Sequence, residues 1–221
     1  MDRRAFLKAA ALGAMAGVAA PLSSPAGTAA ASEDKAMKIL VLTGSPRKNG
    51  NSAHLASRFI EGAREAGHKV TRFDAAQSDV HPCIACNSCG MDGPCVFEDD
   101  FGTVREHIVP ADMVVFATPM YYFGISAQLK AVIDRFYAIN GQIHVPKKAA
   151  LLMTYANTAA EQAAPIAAHY DVLLDYLGWQ DAGRVIAPGV WTEGSIKATP
   201  YPEAAYRLGR SLQQESRPHL R

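Results

Sequence analysis

"KILVLTGSPRKNGNS", residues 38–52, joins an unbroken apolar run to a turn built from Gly, Pro, Asn and Ser. An apolar run without polar alternation reads as a strand covered on both faces, as in a parallel sheet flanked by helices. Leu55, Ala56, Phe59, Ile60 and Ala63 then recur at helical spacing until Gly67, a suitable helix stop. Strand, turn and amphipathic helix in that order are the opening unit of a doubly wound α/β sheet.

The same alternation continues along the chain. "KVTRFDA" (69–75), "DMVVFATP" (112–119), "AALLMTY" (149–155) and "RVIAPGV" (184–190) read as four further strands. Between them, Phe101, Val104 and Ile108 mark a short helix, and Leu129, Val132, Ile133, Phe136 and Tyr137 a longer one on a single apolar stripe. Another helix is expected from Pro165 to Leu177, stopped by Gly178, and a last one from Pro202 to Gln214. The expected architecture is an α/β sandwich: a five-stranded parallel sheet in the flavodoxin-like order 2-1-3-4-5 with helices on both faces. It occupies residues 37–215 as one domain, with 216–221 as a tail.

In open α/β sheets a ligand sits beyond the carboxyl ends of the strands, where the strand order reverses. The loop there is "GSPRKNGNS" (44–52). Ser45, Asn51 and Ser52 offer hydroxyl and amide donors, Arg47 a cation, and Gly44 and Gly50 let the backbone curl. A helix opening near Asn51 aims its free N–H groups and positive dipole end at the same place, which makes a phosphate cradle. It is not a Walker loop, because five residues separate Gly44 from Gly50 and Asn51 stands where that motif needs lysine; the G-x-G-x-x-G fingerprint is also absent. "TPMYYFG" (118–124) supplies apolar and aromatic contact for a flat isoalloxazine ring, with one of Tyr121, Tyr122 and Phe123 expected to cap the core instead. "TYANT" (154–158) should approach the ring from the other side, with Asn157 and Thr158 as polar contacts.

All four cysteines of the chain fall in "CIACNSCGMDGPC" (83–95), spaced C-x2-C-x2-C-x5-C. Gly90, Gly93 and Pro94 let the chain reverse, so Cys83, Cys86, Cys89 and Cys95 can surround a small volume, as a cubane iron-sulfur cluster requires. Zinc also takes four thiolates, though usually from two C-x-x-C pairs set farther apart. Disulfides or reactive thiols are the main rival to a cluster, ahead of zinc, though loops closed by two or five residues would restrain the unfolded chain little. His81 could serve as a spare ligand, but a lone loop histidine is more often simply solvated.

The stretches "GSPRKNGNS" and "ATPMYYFGISAQLKAVIDRF" resemble the NADPH-dependent FMN reductase group of flavodoxin-like proteins, from about Lys38 to Arg135. The resemblance implies noncovalent FMN, with Ser45, Arg47, Asn51 and Ser52 at its phosphate and Pro119, Met120, Tyr121, Tyr122, Phe123 and Gly124 along its ring. Lys130, Asp134 and Arg135 match a recurring stretch of that group and are read as helix and subunit-contact residues. With a compact cysteine motif after the second strand, the chain is similar to the iron-sulfur flavoproteins. That likeness implies one [4Fe-4S] cluster on Cys83, Cys86, Cys89 and Cys95, exchanging electrons with FMN across a subunit interface in a homodimer or homotetramer.

Residues 1–31 read as an export leader: a charged start, a short apolar middle and Ala29-Ala30-Ala31 as a cleavage site. Arg3-Arg4 before Ala5-Phe6-Leu7-Lys8 resembles the twin-arginine (Tat) leader, which carries folded cargo to the periplasm and so permits a cluster to be inserted first. Its removal takes Arg3, Arg4, Lys8 and Asp2, so basic residues fall from 22 to 19 and acidic from 21 to 20. That near-neutral balance offers no basic face for nucleic acid, and no later apolar run is long enough for a membrane helix. The reading is an exported FMN-dependent oxidoreductase that relays electrons through a cluster. A redox protein or quinol fits as donor better than nicotinamide does, with a small molecule as acceptor. Two alternatives stay open: a cluster-free NAD(P)H- or quinone-dependent FMN reductase with structural cysteines, and a non-enzymatic electron carrier.

Overall fold

The computed structural model describes residues 36–212. The expected export leader (1–31) and the expected tail (216–221) lie outside the described residues. Strand β1 (Lys38–Thr43) is interior to the sheet: it pairs in parallel with β2 (Lys69–Asp74) on one edge and with β3 (Met113–Tyr121) on the other. Beyond β3 come β5 (Lys148–Thr154) and β6 (Gln180–Ala187), both parallel. The two-residue β4 (Gly124–Ile125) folds back antiparallel on the end of β3. The order is β2-β1-β3-β5-β6, which among the parallel strands alone is the expected 2-1-3-4-5.

Alternation along the strands sorts the core into two layers. Ile39 and Val41 of β1, with Met113, Val115 and Ala117 of β3, pack on Leu55, Ala56, Phe59, Ile60 and Ala63 of α1 (Asn51–Glu65). Leu40, Leu42, Val114 and Phe116 point into the other layer. They pack there on α2 (Phe101–Ile108), α3 (Ala127–Asp134) and α5 (Ala164–Leu177). A short α4 (Asn140–Ile143) follows a 3-10 turn over Arg135–Ile139.

Helix α6 (Tyr201–Arg210) lies across α1 at a crossing made close by glycine. A methyl group on Gly62 would overlap the Tyr206 carbonyl oxygen, and one on Gly209 would overlap that of Phe59. Two facing positions without side chains therefore let the backbones touch.

The fifth strand differs from expectation. It runs from Gln180 to Ala187, because α5 stops at Gly178 in the left-handed conformation (φ +68°) and the chain enters the sheet almost at once. Pairing with β5 overrides the weak strand propensity of Gln180-Asp181-Ala182-Gly183, with a register shift at that point. The longer apolar stripe also breaks: Leu129, Val132, Ile133 and Phe136 are buried, but Tyr137 lies on the 3-10 turn and is exposed.

Gly62→Ala is expected to destabilise the fold by about 2 kcal/mol or more, since backbone must move to admit the methyl group. Gly102→Ala, on α2 with nothing within 4 Å of the added carbon, should be neutral or stabilising by up to about 1 kcal/mol. Urea denaturation of both variants checks the pair; equal midpoints would rule out the close crossing.

Candidate functional site

A cavity of about 720 Å³ opens at the carboxyl ends of β1, β3, β5 and β6. The β1 exit contributes Ser45, Arg47, Gly50, Asn51 and Ser52, and the end of β3 contributes Pro119, Met120, Tyr121 and Tyr122. The β5 exit adds Thr154, Tyr155 and Ala156, and the β6 exit adds Val190, Trp191, Thr192 and Glu193.

The β1 exit is a tight turn. Ser45 Oγ accepts from Arg47 N–H at 3.2 Å and donates to Arg47 C=O at 3.1 Å, while Gly50 N–H donates to that same carbonyl at 3.0 Å. Gly50 is the N-cap of α1, so no side chain caps the helix, and its first turn carries no acidic residue. The positive end of the helix is left for a ligand. Ser52 is 1 % exposed, and its Oγ has no hydrogen-bond partner. A buried hydroxyl without a partner costs about 1–3 kcal/mol, a cost that an anion placed in this cradle would remove.

Asn51 corrects the sequence reading. Its side chain turns to the β6 exit, where Nδ2 donates to Thr192 C=O at 2.9 Å and more weakly to Val190 C=O and Ser195 Oγ, both at 3.4 Å. Its Oδ1 accepts from Ile196 N–H at 3.3 Å. Only the backbone amide of Asn51 remains for an anion, while its side chain braces the loop that carries Trp191.

The β3 exit is also sharper than expected. Tyr122 (φ +46°) and Phe123 (φ +62°) form the turn of the β3–β4 hairpin. None of the three aromatics caps the core: Tyr121, Tyr122 and Phe123 are all exposed. Tyr121 and Tyr122 line the cavity, whereas Phe123, the second turn residue, and Gly124 after it do not. Asn157 does not line it either. Its Oδ1 accepts from the N–H groups of Thr158 (2.7 Å) and Ala159 (3.2 Å), and its carbonyl accepts from Gly189 (2.8 Å), so it shapes the β5 exit rather than a ligand contact. Trp191, 76 % exposed on the cavity wall, was missed by the sequence reading. The signal was present: "WTEG" (191–194) follows the last strand at its carboxyl end.

The cysteine segment springs from the carboxyl end of β2. Its neck is closed by Asp100 N–H to Asp79 C=O (2.9 Å) and Asp79 N–H to the Asp100 carboxylate (2.7 Å). Above the neck, Asn87 Oδ1 accepts from Tyr137 OH at 2.9 Å, Met91 C=O from Asn140 N–H at 3.0 Å, and Gly93 C=O from Arg105 at 3.3 Å. Cys83, Cys86, Cys89 and Cys95 are free thiols lining one hollow, together with Phe97 and Arg135. Ala85 N–H approaches Cys83 Sγ at 3.5 Å. The Ser88 hydroxyl and amide hold the Cys86 thiol below its usual pKa.

Arg135 is the second correction. Expected at a subunit contact, it is 1 % exposed and lies beneath the cysteine segment. Nη1 donates to Asp99 Oδ2 at 2.8 Å and to His81 C=O at 2.9 Å, Nη2 donates to Asp99 Oδ1 at 3.1 Å, and the guanidinium sits over the Phe97 and Phe101 rings. Burial alone would raise the Asp99 carboxyl, but the Arg135 hydrogen bonds and the His81 and Phe101 amides outweigh it and hold the pKa below the usual range. His81 is half exposed, stacks on Phe97 at 4.9 Å, and is not part of the hollow's lining. Lys130 and Asp134 form an exposed ion pair one turn apart on α3, as helix-surface residues should.

The profile of a family described as NADPH-dependent FMN reductase matches residues 37–192. The chain belongs to the NADPH-dependent FMN reductase family. Within this family's reach, an iron-sulfur flavoprotein of Methanocaldococcus jannaschii is 34 % identical over 99 residues, covering 45 % of this chain and 51 % of that one. An iron-sulfur flavoprotein of Methanosarcina thermophila is 36 % identical over 99 residues, covering 45 % and 52 %. The chain thus spans about half the length of these curated relatives. Among solved structures, an NAD(P)H:quinone oxidoreductase from Methanothermobacter marburgensis superposes with a TM-score of 0.67 at 21 % identity, covering 84 % of this chain and all of that one. At that identity the likeness shows the fold alone.

The residues fit the groups these families imply. For FMN, the uncapped helix end and the partnerless Ser52 hydroxyl suit a phosphate. For an iron-sulfur cluster the donor chemistry is right, with four thiols on one hollow and a buried Arg135 Nε that has no partner. Among the described residues, no three His, Cys, Asp or Glu side chains are grouped to hold a single metal ion.

Asn51→Ala should lower stability by about 2 kcal/mol, because it leaves buried backbone groups of the β6 exit unpaired. Limited proteolysis is expected to cut within 190–196 in that variant and not in the parent; an unchanged cleavage pattern would show that the loop does not depend on Asn51.

Proposed function

We propose that the chain is an exported FMN-dependent oxidoreductase that passes electrons between a redox protein or quinol and a small-molecule acceptor, with a [4Fe-4S] cluster on Cys83, Cys86, Cys89 and Cys95. The observation that carries the flavin reading is the uncapped helix end at the cavity, where the lining residue Ser52 has a buried hydroxyl without a partner. When bound, FMN exchanges electrons singly or in pairs and the cluster one at a time, so together they can divide a pair. The protein's own part is positional. The amides of Asn51 and Ser52 and the Ser52 hydroxyl hold a phosphate, with Arg47 adding charge from the exposed rim. Tyr121, Tyr122 and Trp191 offer aromatic surface to a flat ring, and Met120 and Val190 keep water from its faces. The leader supports a periplasmic location, and a homodimer or homotetramer would bring the cysteine hollow of one chain to the flavin of another. Among the described residues no helix is long and apolar enough to cross a membrane.

A second reading is favoured by one observation: the cysteine segment is held by the protein's own side chains, through Arg135 with Asp99 and Tyr137 with Asn87. On that reading the thiols are structural and the protein is a cluster-free FMN reductase using NAD(P)H or a quinone.

Ser52→Ala should weaken FMN binding by about 10- to 100-fold, the value of one hydrogen bond to a charged group, while thermal stability stays level or rises. Flavin fluorescence titration and a melting curve check both halves. Anaerobic isolation of the exported form should yield about four irons and four sulfides per chain with broad visible absorption. A yellow protein lacking iron would support the cluster-free reading, and a protein that neither carries nor takes up FMN would end both.

A further inference from the structure

Arg135 makes fewer hydrogen bonds than its donors allow. Both of its terminal nitrogens are engaged, by Asp99 and by the His81 carbonyl, yet Nε is buried without a partner. A guanidinium 1 % exposed seldom leaves a donor unused, since each such group costs about 1–3 kcal/mol. The residue lines the hollow that the four cysteines line, and so does Phe97, over whose ring the guanidinium sits. Arg135, which carries this unused donor, is thus part of the wall of the hollow, and the acceptors that would occupy that space are sulfur.

We propose that Arg135 is the positioning residue of the cysteine site, its Nε–H donating to a sulfur of the group that Cys83, Cys86, Cys89 and Cys95 hold. The proposal rests on the cluster reading above. It assigns Arg135 two tasks through one rigid side chain. The terminal nitrogens fix the entry of the loop at His81 and its exit at Asp99. Nε then places a cationic donor against an anionic cluster, and hydrogen bonds to cluster sulfur favour the reduced, more negative state. Lysine keeps the charge but lacks the planar fork and the Nε donor, so it is not an equivalent here.

The test uses the full chain, anaerobically reconstituted with iron and sulfide and labelled with [15N]arginine. Pulsed EPR of the reduced cluster should show a 15N coupling in the parent protein, and Arg105→Lys, which removes the guanidinium bound to Gly93, should leave it in place. Arg135→Lys should lose the coupling and shift the cluster midpoint potential to more negative values with iron content retained. The parent measurement needs no variant to fold. A cluster that forms without 15N coupling, or a potential that Arg135→Lys leaves unmoved, overturns the role of Arg135 alone. Failure of the parent chain to take up iron and sulfide overturns the cluster reading and this proposal with it.

Discussion

Strand β1 has a parallel neighbour on each edge, and from that constraint the placement of both sites follows. A strand paired on both sides can neither bend nor shift register without losing a ladder, so every exit leaves from one rim of the sheet. Between β1 and β3 the connections pass to opposite faces, which opens a crevice, and the first turn of α1 stands over it. Gly44 keeps that turn close: a methyl group there would overlap Ser126 Oγ at the start of α3. The cavity is thus enclosed by the sheet's own connectivity, with the loops adding its lining.

The two sites are held by different forces. At the cavity, the α1 terminus supplies fixed backbone dipoles, and Asn51 ties the cradle to the β6 exit through four hydrogen-bonding contacts. The cysteine segment has no regular structure between the Asp79–Asp100 neck and leans on one buried ion pair, Arg135 with Asp99. Removing either member of such a pair leaves a charge stranded in low dielectric, a loss of about 3–5 kcal/mol. The cradle would therefore survive single changes that the cysteine segment would not.

The sheet was legible because burial on both faces writes continuous apolar runs, as in Ile39–Leu42 and Met113–Ala117, and because Gly67 and Gly178 stop helices where the periodicity ends. The phosphate end of the site followed from position alone. Side-chain direction did not. Asn51 is of a donor type that suits a phosphate, yet a carbonyl 141 positions away takes its amide. Arg135 was read from a family resemblance as a subunit-contact residue, but it opens the 3-10 turn after α3 and is buried beneath a loop some 40 to 50 residues earlier in the chain, reaching His81 at a separation of 54. Long-range pairings of that kind leave no periodic trace. The Trp191 loop was legible by the same strand-end rule that exposed the others.

Backbone strain links the two sites. Among the described residues, the non-glycine positions with positive φ are Ala85, Asn87, Met91, Tyr122 and Phe123. Three lie in the cysteine segment and two at the aromatic turn beside the cavity, and none falls in the helices or the parallel strands. Each costs on the order of 1 kcal/mol, a sizeable draw on a net stability of about 5–15 kcal/mol. A chain free to relax would put glycine there, as it does at Gly178 and Gly194. The surroundings over-determine these conformations instead: the β3–β4 pairing fixes Tyr122 and Phe123, while Tyr137 and Asn140 pin Asn87 and Met91. Strain confined to the two loops that line the cavity and the thiol hollow means their shapes are set before a ligand arrives. On the proposed function, electron exchange would be favoured by groups that need not rearrange when charge moves, and loops of fixed shape would serve it.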